Sequence, residues 1–127
     1  KDTNQRLLDL ILMFESQIKA INPDVVYIEE AIYIQNFRTS RAISEVIGNI
    51  KFILTKMKIP HHSVPVNSWK KVVIGKGNAS KDEVREFIEL KYPELKDEEQ
   101  DIFDAVSVGW FGIKSEEEKL LVEGDNG

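Results

Sequence analysis

Two pairs of acids stand where they could act on a phosphodiester. Glu29 and Glu30 follow the run Val25-Val26-Tyr27-Ile28, and Asp101 and Asp104 flank Ile102-Phe103. Carboxylate oxygens are the ligands that hard divalent cations such as magnesium prefer. Two such ions can activate a water and stabilise the leaving oxygen in phosphodiester cleavage. Side chains alternate along a strand, so Glu29 and Glu30 point to opposite faces and only one can serve a given site. Asp101 and Asp104, at i and i+3, share a helix face and can converge on one ion. Each pair also has a plainer reading, as acids exposed at a strand end or acids favoured in a helix's first turns by its dipole.

The charge distribution supplies the other half of that chemistry. The net charge of −5 by itself argues against a polyanionic partner, but residues 31–81 hold nine Lys and Arg against the single acid Glu45. Residues 1–30 carry three bases and six acids, and residues 82–127 carry five bases and fifteen acids. Binding a polyanion depends on the local field and not on the total. The middle segment is therefore a candidate phosphate-binding surface, although lysines that only solvate helix faces would give the same count.

The elements that must position these groups follow from pattern. A chain of 127 residues with 42% apolar and 31% charged residues is one domain's worth, with enough apolar material for a core. It has no cysteine, so a metal site must be built from carboxylates and, at most, His61 or His62. No apolar run approaches a membrane span and no signal peptide is visible, which makes a cytoplasmic protein the default. Apolar spacing predicts a helix over residues 3–20, stopped by Asn22-Pro23-Asp24. A buried strand is expected from Val25 to Ala31, and a second helix over residues 39–57 with Thr39-Ser40 as its cap. Residues 61–66 read as a second strand, near an edge because of Pro65. A short helical turn around Trp69 (67–74) leads to the loop Gly75-Lys76-Gly77-Asn78-Ala79. Ser80, with Glu83 in a capping box, opens a third helix running to Leu90. A fourth runs from Asp97 through Ile113, and residues 115–127 read as an acidic, frayed tail. Strands separated by helices indicate a parallel α/β arrangement.

The order of three blocks adds a resemblance. Asn22-Pro23-Asp24-Val25-Val26-Tyr27-Ile28-Glu29-Glu30 resembles the strand of RuvC-type Holliday junction resolvases that ends in a catalytic glutamate. Trp69-Lys70-Lys71-Val72-Val73-Ile74-Gly75-Lys76-Gly77-Asn78-Ala79-Ser80-Lys81 looks like the family's Lys-x-x-x-x-Gly-x-Gly-x-Ala-x-Lys block. Asp101-Ile102-Phe103-Asp104-Ala105 is similar to its C-terminal Asp-x-x-Asp-Ala helix. The resemblance implies an RNase H-like α/β nuclease domain over residues 1–114. Its metal ligands would be Glu29, Asp101 and Asp104, holding magnesium or alternatively manganese. Lys70 and Lys81 fall where the family's lysines approach the scissile region and the junction backbone; Lys71 beside Lys70, and Arg38 and Arg41 at the start of the second helix, are further candidates to meet DNA, or are surface charges only.

The implied partner is branched DNA, a four-way junction, met by a homodimer formed through residues 39–57. The family's aromatic wedge would fall near Ile32, with Tyr33 and Phe37 close by. The family also begins with a strand bearing an aspartate in an Asp-x-Gly context, followed by further strands. No such strand occurs here, since Asp2 and Asp9 lie in a helical pattern. The resemblance thus implies a domain without its N-terminal strands and short of one catalytic acid, so that residues 1–127 alone are inactive or nearly so. Two rivals stand beside this reading: a non-catalytic nucleic-acid-binding relative, and an RNase H-like nuclease for another substrate such as a hybrid or flap.

Overall fold

The computed structural model describes residues 2–30 and 37–126. Its element order is helix, strand, helix, strand and then helices, as the sequence pattern requires. The chain divides into two compact units: residues 1–26 with 31–62, and residues 27–30 with 63–127.

In the first unit α1 spans Thr3–Ile21. Asp2 caps it by accepting from the Gln5 N–H at 2.8 Å, and Asn22 ends it in the left-handed region at φ 51°, which asparagine tolerates better than most residues. Helix α2 spans Phe37–Lys56 and packs against α1. Ile11 and Ile18 of α1 and Ile53 and Leu54 of α2 are buried. The described part of α2 begins at Phe37, which places Thr39 and Ser40 within the helix and not at the expected cap position. Neither Phe37 nor Arg38 stops a helix, and a hydroxyl cap is worth only about 1 kcal/mol. The expected wedge positions Ile32 and Tyr33 lie outside the described residues, as does the side chain of Phe37.

Strands β1 (Val26–Glu29) and β2 (His61–Val64) form a two-stranded sheet. Val26 N–H donates to Pro60 O at 3.0 Å and Glu30 N–H to Val64 O at 2.8 Å. The equal advance along both chains makes the pair parallel. β2 stops at Val64 and not at Val66, because Pro65 cannot donate to the ladder and instead caps the next helix.

In the second unit α3 (Val66–Trp69) runs directly into a widened π turn, Lys70–Ile74. Gly75 closes that turn at φ 107°, its N–H donating to Lys70 O at 3.1 Å. Ser80 caps α4 (Lys81–Lys91), accepting from the Glu83 N–H at 3.1 Å. A 3-10 turn, Pro93–Leu95, precedes α5 (Gln100–Asn126). Val64, Trp69, Val73, Ala79, Val84, Ile88, Phe103 and Val108 make the core of this unit.

Residues 115–126, expected as an acidic tail, continue α5. No proline or glycine interrupts the chain between Gly112 and Gly124, and Glu, Lys and Leu are good helix formers. The Ser115 hydroxyl donates to Phe111 O at 2.9 Å, and Lys119 pairs with Glu116 at 3.3 Å. No helix among the described residues is long and apolar enough to cross a membrane.

Candidate active site

The site is built within the second unit, where β1 ends and α5 begins. Glu29 is the last residue of β1 and lies exposed at its end. Two residues earlier, Tyr27 packs on α5, its ring edge-on to Phe111 with centroids 6.2 Å apart. Residues i and i+2 of a strand share a face, so this packing directs Glu29 to the same helix. On α5, Asp101 lies in the first turn and Asp104 one turn on, half-buried. Gln100 Nε2 donates to Asp104 Oδ1 at 3.1 Å, which orients that carboxylate.

The start of α5 is held from the side by Arg85. Its guanidinium lies 4.2 Å from the ring centroid of Phe103 and donates to the carbonyls of Lys96 and Glu98. Phe103, fully buried between the two aspartates in sequence, fixes the rotation of the helix. Together these contacts set which face of α5 bears the acids.

The electrostatics tie the groups together. Although the residue as a whole is exposed, partial desolvation of its carboxyl raises Glu29 above the usual glutamate range, and the charges of Asp104 and Asp101 push it the same way. Lys70, at the start of the π turn, and the Trp69 indole N–H pull in the opposite direction. Lys70 Nζ also lies 5.8 Å from the Trp69 ring centroid. The indole N–H approaches the Glu29 carboxylate closely enough to favour its charge, yet it makes no full hydrogen bond.

Glu29, Asp101, Asp104 and Lys70 are thus brought into one neighbourhood. Among the described residues, however, no three acid or imidazole groups stand close enough together to hold a metal ion as placed. The donor chemistry still fits a hard divalent cation: all three are carboxylates, and a cation among them would relieve the repulsion that Glu29 feels.

The remaining expected residues lie elsewhere. Lys71 is exposed on the π turn and Lys81 is the exposed first residue of α4. Lys76, in the glycine loop, pairs with Glu83 at 2.6 Å and so ties that loop to α4. Arg38 and Arg41 are exposed on α2 in the first unit, Arg41 pairing with Glu45 at 3.4 Å. His61 faces the carbonyl of Ile59 at 3.0 Å. Sequence reasoning missed Trp69, Tyr27 and Gln100. The one legible signal was the position of Trp69 directly before Lys70, and it was read only as the centre of a turn.

The sequence matches the profile described as "Crossover junction endodeoxyribonuclease RuvC" over residues 1–110. Proteins of that name from Orientia tsutsugamushi (strain Boryong) and Brachyspira hyodysenteriae are similar. The first is 25% identical over 116 residues, covering 91% of this chain and 73% of the relative. The second is 29% identical over 90 residues, covering 71% and 56%. The Thermus thermophilus RuvC structure superposes with a TM-score of 0.73 at 15% identity, covering 91% of this chain and 72% of that one. The same protein in complex with a Holliday junction substrate gives 0.75 at the same identity and coverage. The fold is accordingly RNase H-like, of RuvC type, and the chain belongs to the crossover junction endodeoxyribonuclease RuvC family.

Proposed function

We infer that this protein is a metal-dependent endonuclease that resolves Holliday junctions or related branched DNA, acting in DNA recombination and repair in the cytoplasm. What supports the reading is membership of this family, together with the electrostatic influence of Asp104, Lys70 and Asp101 on Glu29. The nuclease domain spans residues 1–114, with Glu29, Asp101 and Asp104 as ligands for magnesium or manganese. When bound, the cation supplies an activated water and a counter-charge for the departing oxygen.

The chain's own groups do the rest. Asp101 and Asp104 present oxygens from one helix face, and Gln100 keeps Asp104 from turning away. Glu29 approaches from the strand. Lys70 offsets negative charge developing on the attacked phosphate, and Lys71, Lys81, Arg38 and Arg41 bind the flanking backbone by charge. Residues 39–57, in α2 and just beyond it, form an isologous homodimer, which would present two sites to the two symmetric strands of a four-way junction. Phe52, 64% exposed on α2, supports that helix as an interface.

The test is cleavage of a synthetic four-way junction with magnesium. In the full-length protein, Glu29→Gln and Asp101→Asn should each abolish cutting and leave junction binding largely intact. Equal loss of binding and cutting would make these acids structural. Cutting of RNA–DNA hybrids or flaps in preference to junctions would reassign the substrate.

A further inference from the structure

Trp69 is 1% exposed, and its indole Nε1 is buried with no hydrogen-bond partner. A buried tryptophan N–H normally finds an acceptor. Trp110, the second tryptophan of the chain, does so, donating to the Tyr92 hydroxyl at 3.0 Å. Trp69 is not loosely held: it packs in one cluster with Val64, Val73 and Phe103. Phe103 lies between the two aspartates of α5, and the Val64 carbonyl accepts the N–H of Glu30. The ring is therefore wedged where the end of β1, which carries Glu29, meets the acidic turn of α5, and the pull of its N–H on the Glu29 carboxyl agrees with that placement. The backbone widens into a π turn immediately after it, and such insertions are frequent at functional sites.

We propose that Trp69 is a positioning residue for Glu29: in the metal-loaded state its indole N–H donates to one carboxylate oxygen and leaves the other directed at the cation. The inference deepens the reading of Glu29, Asp101 and Asp104 as a metal site and rests on it. An indole N–H is a donor only. It can neither ligate a cation nor take up a proton, so orienting the carboxylate is the role open to it. Partners of this kind fix which lone pair a ligand offers, and losing one weakens metal binding about 10- to 100-fold.

The two tryptophans make the test direct. The ¹⁵N-labelled full chain has two indole N–H resonances, which Trp69→Phe assigns. Titration with magnesium should move the Trp69 indole proton downfield and slow its exchange with water, in step with shifts of the Asp101 and Asp104 amides. The Trp110 resonance should stay in place. Trp69→Phe should bind magnesium about 10-fold or more weakly.

If the Asp101 and Asp104 amides titrate while the Trp69 indole does not move, the metal site survives and the positioning role is overturned. The same holds if folded Trp69→Phe binds magnesium as tightly as the parent. If magnesium moves none of these resonances, the metal reading fails and this inference falls with it. Should Trp69→Phe not fold, the Trp69 resonance is the indole signal that does not shift in Tyr92→Phe, and the parent titration decides.

Discussion

Tyr27 and Gly112 approach so closely that α5 has no room for a side chain at that point: a Cβ on Gly112 would lie 2.6 Å from Tyr27 Cδ2. The Tyr27 hydroxyl donates to Glu116 Oε1 at 2.6 Å, one helical turn further on. Tyr27 thus clamps β1 to α5 and sets where Glu29, two residues along the same face, meets the acids of that helix. Gly112→Ala tests the clamp. Alanine gains about 1 kcal/mol of helix propensity, but overpacking costs about 1–3 kcal/mol. The variant should be less stable in urea denaturation, and it should lose cleavage beyond its loss of stability because β1 is displaced.

Tyr27 also carries a pH signature. Its burial, together with the hydrogen bond to Glu116 and that residue's charge, pushes its pKa from 10.0 up to about 12. A raised pKa means that the neutral phenol is favoured in the folded chain, so this contribution is fully present below pH 10 and lost as pH rises through about 12. Tyr27→Phe should destabilise by about 1 kcal/mol at neutral pH, the ordinary worth of one hydrogen bond. The gap from the parent should narrow between pH 10 and pH 12; a gap constant across that window would contradict the assignment.

Glu29 should destabilise the metal-free chain when charged. Its pKa is raised by burial first and by Asp104 and Asp101 after that. The folded state therefore disfavours the carboxylate, and the cost is absent below the ordinary glutamate value of 4.5 and grows as pH rises through the raised one. Without divalent metal, Glu29→Gln should melt higher than the parent at pH 7, with the difference vanishing in acid. Thermal melts across that range in the presence of a chelator decide it, and saturating magnesium should reverse the order.

Lys70 is expected to act on the reaction and not on substrate capture. Lys70→Ala should lower the single-turnover rate of junction cleavage about 10²- to 10³-fold, the typical loss for one group stabilising developing negative charge. Junction affinity should change little, because several other cations share the phosphate contacts. A loss confined to affinity would place Lys70 among those binding cations.

The exposed Phe52 gives the dimer its test. Phe52→Glu should convert a dimer to a monomer in sedimentation velocity with unchanged circular dichroism, since a charge buried in an apolar interface is unpaired. A dimer that persists would move the interface away from residues 39–57.

The sequence carried the local structure because local structure obeys short-range rules. The 3.6-residue apolar spacing of α1, the stop at Asn22-Pro23 and the Ser80 cap with Glu83 three residues on are all decided by neighbours in the chain. The family was legible for a related reason: the ordered Glu29, glycine–lysine and Asp101-x-x-Asp104 blocks are chemistry written as residue types. The continuation of α5 past Ser115 was not legible. The acidic composition suggested solvation, whereas the hydroxyl bond to Phe111 and the Tyr27–Glu116 contact are made by packing. The influence of Trp69 on Glu29 was hidden as well, because forty residues separate them and only the packing of the second unit brings the end of α3 to the end of β1. Residue identity and spacing, then, determined which groups exist and which helix or strand bears them. Tertiary packing decided which of them face one another, because the closeness of two side chains depends on the contacts between elements and not on separation along the chain.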